Sequence, residues 1–194
     1  MALFDPFPPL GSAAERQISA EGFVLPPGYH LRPAQAADAG AIRRLVWRSR
    51  INPLGLDWRR FWLVTYEERL AAMGQVKPHA GGLRELASIA TEPAHRGKGL
   101  ARGLILTLMA QHAPPLYLTC RAELRAFYRP FGFAELDPEE MPPYYRRLWG
   151  LARLLRPAGR AGGMAVMCWL GVPANKTPAA AGEDGPEPGG FRRR

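Results

Sequence analysis

The sequence has few of the features that mark secreted or membrane-spanning proteins. It contains two cysteines in 194 residues, too few for a disulfide framework, which indicates a reducing compartment. No segment reaches the roughly 18 consecutive apolar residues that a bilayer-spanning helix needs, because the longest weakly charged stretch, 103–120, is interrupted by polar residues and prolines. The N-terminus lacks a basic region followed by a continuous apolar core, so it does not resemble a secretory signal. We therefore predict a cytoplasmic protein.

Acidic residues are also scarce relative to basic ones. The chain has 26 Lys and Arg against 17 Asp and Glu, a formal net charge of +9. Such a balance favours a polyanionic ligand, and nucleic acid, an anionic membrane and a phosphate-rich cofactor all qualify. The hydrophobic fraction of 47% excludes wholesale disorder.

Composition divides the chain into three parts. Residues 1–28 are rich in proline and show little periodicity, which predicts an irregular extension that packs on the domain through Phe23 and Leu25. Residues 172–194 are rich in Pro, Ala and Gly with few large apolar groups, so they cannot offset the entropy lost on ordering and are predicted to be a disordered tail. The globular domain is expected at 29–171.

The sequence predicts one helix and an antiparallel meander in the first part of this domain. Apolar periodicity and turn residues give the following order: a strand at 29–32, a helix capped by Asp38 that ends near Asn52, strands at 61–66 and 70–76, a turn at 78–82 and a strand at 83–91.

A glycine-containing loop then joins a nearly uncharged strand to an apolar helix. Gly97 and Gly99 allow backbone N–H groups to converge, and the N-terminus of the following helix favours a phosphate or pyrophosphate. Arg96 and Lys98 add full charges at the same place. The loop therefore predicts an anion site, although glycines between a strand and a helix are also ordinary turn chemistry.

Two motifs in this order resemble the GNAT superfamily of N-acetyltransferases. Arg96-Gly97-Lys98-Gly99-Leu100-Ala101 matches its (Q/R)-x-x-G-x-(G/A) loop, and Phe127-Tyr128-Arg129-Pro130-Phe131-Gly132-Phe133 matches its F-Y-x-x-x-G-F segment. The resemblance covers residues 29–171, with 163–170 fitting the last strand. It implies an α/β fold: a mixed, mostly antiparallel sheet with splayed central parallel strands, flanked by helices.

The resemblance also implies a cofactor and a set of site residues. The co-substrate is acetyl-CoA, with no metal. The family pattern assigns its pyrophosphate to backbone N–H groups of Arg96, Gly97, Lys98, Gly99, Leu100 and Ala101. It assigns the pantetheine to the strand residues Leu86, Ser88, Ile89 and Ala90. Tyr128 falls on the tyrosine that donates a proton to the departing thiolate.

A general base is needed as well, because an amine at neutral pH is an ammonium. Glu85 is the first candidate: by the two-residue strand period it shares a face with Ala87 and Ile89, at the start of the cofactor strand. The alternative is a solvated strand end paired with Arg84. His79 is the second candidate, although a histidine in a Pro-Gly turn is often only exposed. A water-linked base is the third possibility.

Residues 142–160 predict a basic amphipathic helix, with Tyr145, Leu148 and Leu151 among its apolar residues, several arginines and no acidic residue. We interpret it as an insertion whose apolar face packs on the domain. The alternative is a peripheral membrane contact.

These observations predict an N-acetyltransferase that moves an acetyl group from acetyl-CoA to a primary amine by direct attack. The acceptor is a small-molecule or peptide amine, and the sequence specifies neither its identity nor the oligomeric state. Nucleic acid is not the expected partner, because the phosphates of CoA account for much of the basic charge. The alternative function is a non-catalytic protein that keeps the fold and binds nucleic acid or an anionic membrane.

Overall fold

A seven-stranded sheet lies at the centre of the computed structural model, which describes residues 23–154 and 163–171. Its strands, in chain order, are β1 Tyr29–Pro33, β2 Phe61–Tyr66, β3 Arg69–Pro78, β4 Arg84–Thr91, β5 Leu116–Arg121, β6 Ala134–Glu135 and β7 Met164–Trp169. The spatial order is β1-β2-β3-β4-β5-β7-β6, and every neighbouring pair is antiparallel except β4 and β5. The mixed, mostly antiparallel α/β fold is therefore confirmed.

Helices cover both faces of this sheet. They are α1 Ala39–Arg48, α2 Leu100–Ala110, α3 Arg125–Tyr128 and α4 Pro143–Leu154. The apolar stripe of α1 packs on Leu63 and Met73, whereas α2 and α3 share a core with Leu116 and Leu118 on the other face. Helix α4 packs through the fully buried Tyr145 on Val166 of β7. Because β-strand side chains alternate between faces, Val166 lies opposite Met167, which belongs to the α2 side.

The predicted elements of the first half are present with shifted ends. Helix α1 ends at Arg48, before the predicted end near Asn52. Asp38 does not cap the helix through its side chain. Its carboxylate instead accepts hydrogen bonds from the backbone N–H of Gln35 and from Arg32, both at 2.7 Å. The reason is that a 3-10 turn over Ala36–Asp38 precedes the helix, which places Asp38 inside helical backbone.

The N-terminal segment packs on α2 through Phe23, as predicted. A Cβ atom built on Gly103 would lie 2.6 Å from the Phe23 ring, so only glycine permits this close approach. Leu25 joins the apolar cluster of Leu100 and Leu104. Residues 1–22 and the predicted tail at 172–194 lie outside the described residues.

Strand β4 contains a β-bulge that the sequence pattern did not predict. Met73 pairs with Ala90 but Gln75 pairs with Ala87, so β4 has one extra residue. Ser88 takes up this residue with φ +57. The prediction that Glu85, Ala87 and Ile89 share a face is therefore wrong, because Ile89 turns to the α2 side.

The predicted basic helix is present as α4, and residues 155–162 lie outside the described part of the chain. Tyr145 is fully buried, whereas Leu151 and Leu154 are 53% and 81% exposed. Packing on the domain is thus confirmed for the first turn of the helix, while membrane contact stays a prediction. Over the residues that the structure describes, no helix is both long and apolar enough to cross a bilayer.

Candidate active site

The two parallel strands β4 and β5 share very little of their length as a ladder. They pair at one position, Glu85 with Tyr117. From Leu86 onward, the edge of β4 that faces β5 has no ladder partner among residues 23–154 and 163–171. Unpaired strand edges present rows of N–H and C=O groups to a ligand. This interruption of the ladder, called the cleft below, leaves backbone groups of β4 without a partner among the described strands at the centre of the sheet.

The glycine loop lies between the end of β4 and the start of α2. Gly97 and Gly99 both have φ +75, a conformation that favours glycine, and Gly99 is the N-cap of α2. A Cβ atom on Gly97 would meet nothing within 4 Å, so the loop is open on that side. The first N–H groups of a helix have no partner within it. Together with the exposed Lys98 and the half-buried Arg96, these groups suit an anionic ligand.

Five of the ten predicted cofactor residues have side chains in the hydrophobic core. Leu86, Ile89, Ala90, Leu100 and Ala101 are all at most 4% exposed. Only their backbone groups are therefore available to a ligand, which agrees with the backbone roles that the resemblance implies. Their roles stay predictions.

A buried amide beside the bulge was missed in the sequence. Gln75 is fully buried, and its Nε2 donates a hydrogen bond to Ser88 Oγ over 2.9 Å. Its Oε1 has no hydrogen-bond partner within the described part of the chain. A buried acceptor without a hydrogen-bond donor is costly, so Gln75 Oε1 is an unsatisfied polar atom beside the bulge. The sequence signal is a single polar residue within the apolar run 70–76 of β3.

The two candidate bases are hydrogen-bonded to each other. His79 Nε2 lies 2.7 Å from Glu85 Oε2, and Thr119 Oγ1 donates to Glu85 Oε1 over 2.8 Å. Glu85 is only 8% exposed, so the alternative of a solvated strand end paired with Arg84 is wrong. The exposed-turn alternative for His79 is wrong too, because its side chain is 16% exposed. Thr119 was not singled out in the sequence, since nothing local distinguishes it.

Aromatic residues of α4 and β5 enclose this group. The His79 ring lies 4.4 Å from the Tyr144 ring and 6.1 Å from Tyr145, and Tyr145 stacks on Tyr117 at 5.1 Å. Burial, followed by the nearby charge of Glu85, raises the pKa of Tyr144 and of Tyr145. These phenols therefore remain protonated at neutral pH and do not serve as bases.

Tyr128 lies on the opposite face of the sheet, in the core beneath α2. Its ring packs edge-on against Phe127 at 4.9 Å, and it is 6% exposed. Burial, followed by the neighbouring Cys120, raises the pKa of Tyr128, so the phenol holds its proton at neutral pH. Burial also raises the pKa of Cys120 to about 12, which makes this thiol a poor nucleophile.

Residues 57–135, from just before β2 to the end of β6, match the family model of the acetyltransferase (GNAT) domain. This part of the chain is similar to a GNAT acetyltransferase domain. Over 87 residues it is 33% identical to the uncharacterized N-acetyltransferase YjgM of Escherichia coli K12, covering 40% of this chain and 52% of that protein. The chain thus spans about half the length of this curated relative.

Solved structures share the fold of this chain at low sequence identity. One is the N-acetylglutamate synthase of Neisseria gonorrhoeae complexed with coenzyme A and N-acetyl-glutamate, with a TM-score of 0.56 and 17% identity over 72% of this chain and 35% of that one. Another is Rv2747 of Mycobacterium tuberculosis in complex with CoA, with a TM-score of 0.53 and 18% identity over 73% of this chain and 99% of that one.

Within the described residues, the structure brings some predicted site residues together and separates others. Glu85 and His79 form one unit on the face covered by α4. Tyr128 lies on the α2 face, beside Cys120 of β5. Across residues 23–154 and 163–171, no group of three or more His, Cys, Asp or Glu is placed to hold a metal ion.

Proposed function

We propose that this chain transfers an acetyl group from acetyl-CoA to a primary amine by direct attack. The observation that carries the proposal is the single pair between the parallel strands β4 and β5, next to a glycine loop at the N-terminus of α2. An open strand edge suits the amides of a pantetheine chain, and a helix N-terminus suits its pyrophosphate. The family match of residues 57–135 supports the same activity.

The residues present fit this cofactor. The backbone of 96–101, together with Arg96 and Lys98, would hold the pyrophosphate, and the free edge of β4 after Glu85 would bind the pantetheine. The unsatisfied Gln75 Oε1 beside the bulge offers one more acceptor in the same region. Acetyl-CoA would supply the acetyl group as an activated thioester.

Side chains of this protein would carry out two proton transfers. The unit of Glu85 and His79 would take one from the acceptor ammonium, which has no lone pair until it loses a proton. Tyr128, kept protonated by its burial, would hold a proton at its hydroxyl for the departing thiolate. An acyl-enzyme route through Cys120 is not proposed, because its pKa is raised to about 12.

The acceptor is proposed as a small-molecule or peptide amine. The alternative function, a fold-retaining protein that binds nucleic acid or an anionic membrane, gains no support from the matches reported above. Its one favourable observation is the charge of +9. A basic CoA site explains part of that charge equally well.

A ligand-shift and acceptor assay tests the proposal. Acetyl-CoA at 100 times its Kd adds about 2.7 kcal/mol to the native state and should raise the Tm, whereas a DNA duplex at physiological salt should not. Thiol release is then followed with the twenty amino acids, spermidine and a lysine-containing peptide as acceptors. No Tm shift at millimolar acetyl-CoA, combined with salt-sensitive DNA binding, would favour the alternative.

A further inference from the structure

The hydrogen-bonded unit of His79, Glu85 and Thr119 links β3, β4 and β5 at the start of the cleft. His79 follows β3, Glu85 lies in β4 and Thr119 lies in β5. Each carboxylate oxygen of Glu85 has its own partner: Oε2 lies 2.7 Å from His79 Nε2, and Oε1 accepts from Thr119 at 2.8 Å. Because Glu85 is buried and both of its oxygens are engaged, its carboxylate is held in place rather than presented to an acceptor.

The bond to Glu85 determines which nitrogen of His79 carries a proton. A carboxylate oxygen accepts, so Nε2 must donate, and a neutral imidazole with a proton on Nε2 has a lone pair on Nδ1. Among the residues that the structure describes, the hydrogen bond of the His79 ring runs through Nε2 alone. Tyr144 and Tyr145 fix the plane of the ring by packing against it. The ring therefore offers an oriented basic nitrogen.

We propose that His79 Nδ1 is the atom that takes the proton from the acceptor ammonium, and that Glu85 is a positioning residue acting through His79. This inference rests on the proposed function. The proton leaves the ammonium nitrogen for Nδ1, and the carboxylate of Glu85 stabilises the resulting imidazolium, which returns the proton to solvent. The nitrogen loses a second proton as the amide bond forms and the carbon–sulfur bond breaks. The thiolate receives a proton from Tyr128, and the second proton from the nitrogen balances that transfer.

The titratable groups around the unit leave His79 as the base. From β3 the neighbour is Lys77, whose Nζ donates to the Leu54 carbonyl at 2.7 Å. From β5 it is Tyr117, and from α4 they are Tyr144 and Tyr145. Burial raises the pKa of all three phenols, so they stay protonated at neutral pH and do not act as bases. Thr119 fixes the second oxygen of Glu85 and completes the support.

The first test reads the histidine without any substrate. A long-range ¹H–¹⁵N correlation spectrum of the full chain should show His79 with a proton on Nε2 and a bare Nδ1. Glu85→Gln should change this pattern of protonation at His79. The control is His112→Gln, which should leave the pattern unchanged, because His112 Nδ1 is hydrogen-bonded to the Leu108 carbonyl of α2. A proton on Nδ1 in the neutral wild-type ring would overturn the proposal.

The second test separates the base from its support by kinetics. With saturating acetyl-CoA and the best amine of the panel, His79→Ala and His79→Gln should lower kcat by about 10²-fold to 10⁴-fold and remove the acid limb of the pH profile. Added imidazole should restore part of the rate in His79→Ala but not in Glu85→Gln. Hydroxylamine, which is neutral at pH 7, should lose far less rate in the His79 variants than the ammonium acceptor does.

The outcomes distinguish the inference from the function on which it rests. If wild type transfers acetyl to the panel while His79→Ala keeps its rate and its pH profile, the inference is wrong and the proposed function stands. Loss of the acid limb in Glu85→Gln alone would make Glu85 the direct base and would also refute it. If wild type neither binds acetyl-CoA nor releases thiol with any acceptor, the proposed function fails and the inference fails with it.

Discussion

Replacing Gly97 by alanine should separate the cost of the loop conformation from its role in binding. Gly97 has φ +75, and a Cβ atom there would meet nothing within 4 Å. The penalty for folding is therefore that of a left-handed L residue alone, about 1–2 kcal/mol. Gly55, with φ +69 and an equally empty Cβ position, has the same penalty and lies outside the candidate site. Gly55→Ala is thus a matched control.

The magnitudes can be worked from this pair. In a chain of this size about 1 kcal/mol shifts Tm by about 2–4 °C, so both variants should lose about 2–8 °C without ligand. Acetyl-CoA at 100 times the wild-type Kd adds about 2.7 kcal/mol to wild type and to Gly55→Ala. If the alanine turns the N–H groups of the loop away from the phosphate, binding weakens about tenfold. The same concentration of acetyl-CoA then stabilises Gly97→Ala by only about 1.4 kcal/mol.

The assay is thermal unfolding with and without acetyl-CoA, supported by calorimetric titration of the three proteins. Equal loss of stability in both variants, with loss of affinity only in Gly97→Ala, is the expected result. If Gly97→Ala binds acetyl-CoA as tightly as Gly55→Ala does, the loop is a turn without a role in phosphate binding, and the reasoning is refuted.

Two further predictions concern the α2 face of the sheet. Tyr128→Phe should lower kcat by about 10²-fold with little change in acetyl-CoA affinity, because the proposed role of the phenol is to protonate the thiolate. A full rate in steady-state thiol release would show that Tyr128 only packs in the core. Gly74→Ala should lower the free energy of unfolding by about 1–3 kcal/mol, because its Cβ would lie 2.5 Å from Ile89 Cδ1. Ile89→Val removes that methyl group, so in urea denaturation the double variant should recover part of the loss; an undiminished stability of Gly74→Ala would contradict the contact.

The sequence by itself determined the order of elements and the place of the glycine loop before α2. Turn residues, strand periodicity and the glycines at 97 and 99 act over a few neighbouring residues, so they can be read without knowledge of distant contacts. The two motifs at 96–101 and 127–133 sufficed for the family resemblance. Local chemistry also explains why α3 ends at Tyr128, since Pro130 cannot continue a regular helix.

The faces of β4 could not be read from the sequence. Counting by two residues assumes that no residue is inserted, and the bulge at Ser88 breaks that count between Ala87 and Ile89. Glu85 kept its predicted face only because it precedes the bulge. The wrong face predicted for Ile89 thus follows from one residue, Ser88, whose φ is +57. A serine in the sequence does not indicate such a conformation.

Only the tertiary structure joined His79, Glu85 and Thr119. Glu85 and Thr119 are 34 positions apart and meet because α2 returns the chain to β5 in parallel with β4. The enclosing Tyr145 comes from α4, which packs on this face through a buried contact with β7. Such contacts depend on register and helix packing across the sheet. The chemistry of each residue was visible in the sequence, but its partner was decided by the fold.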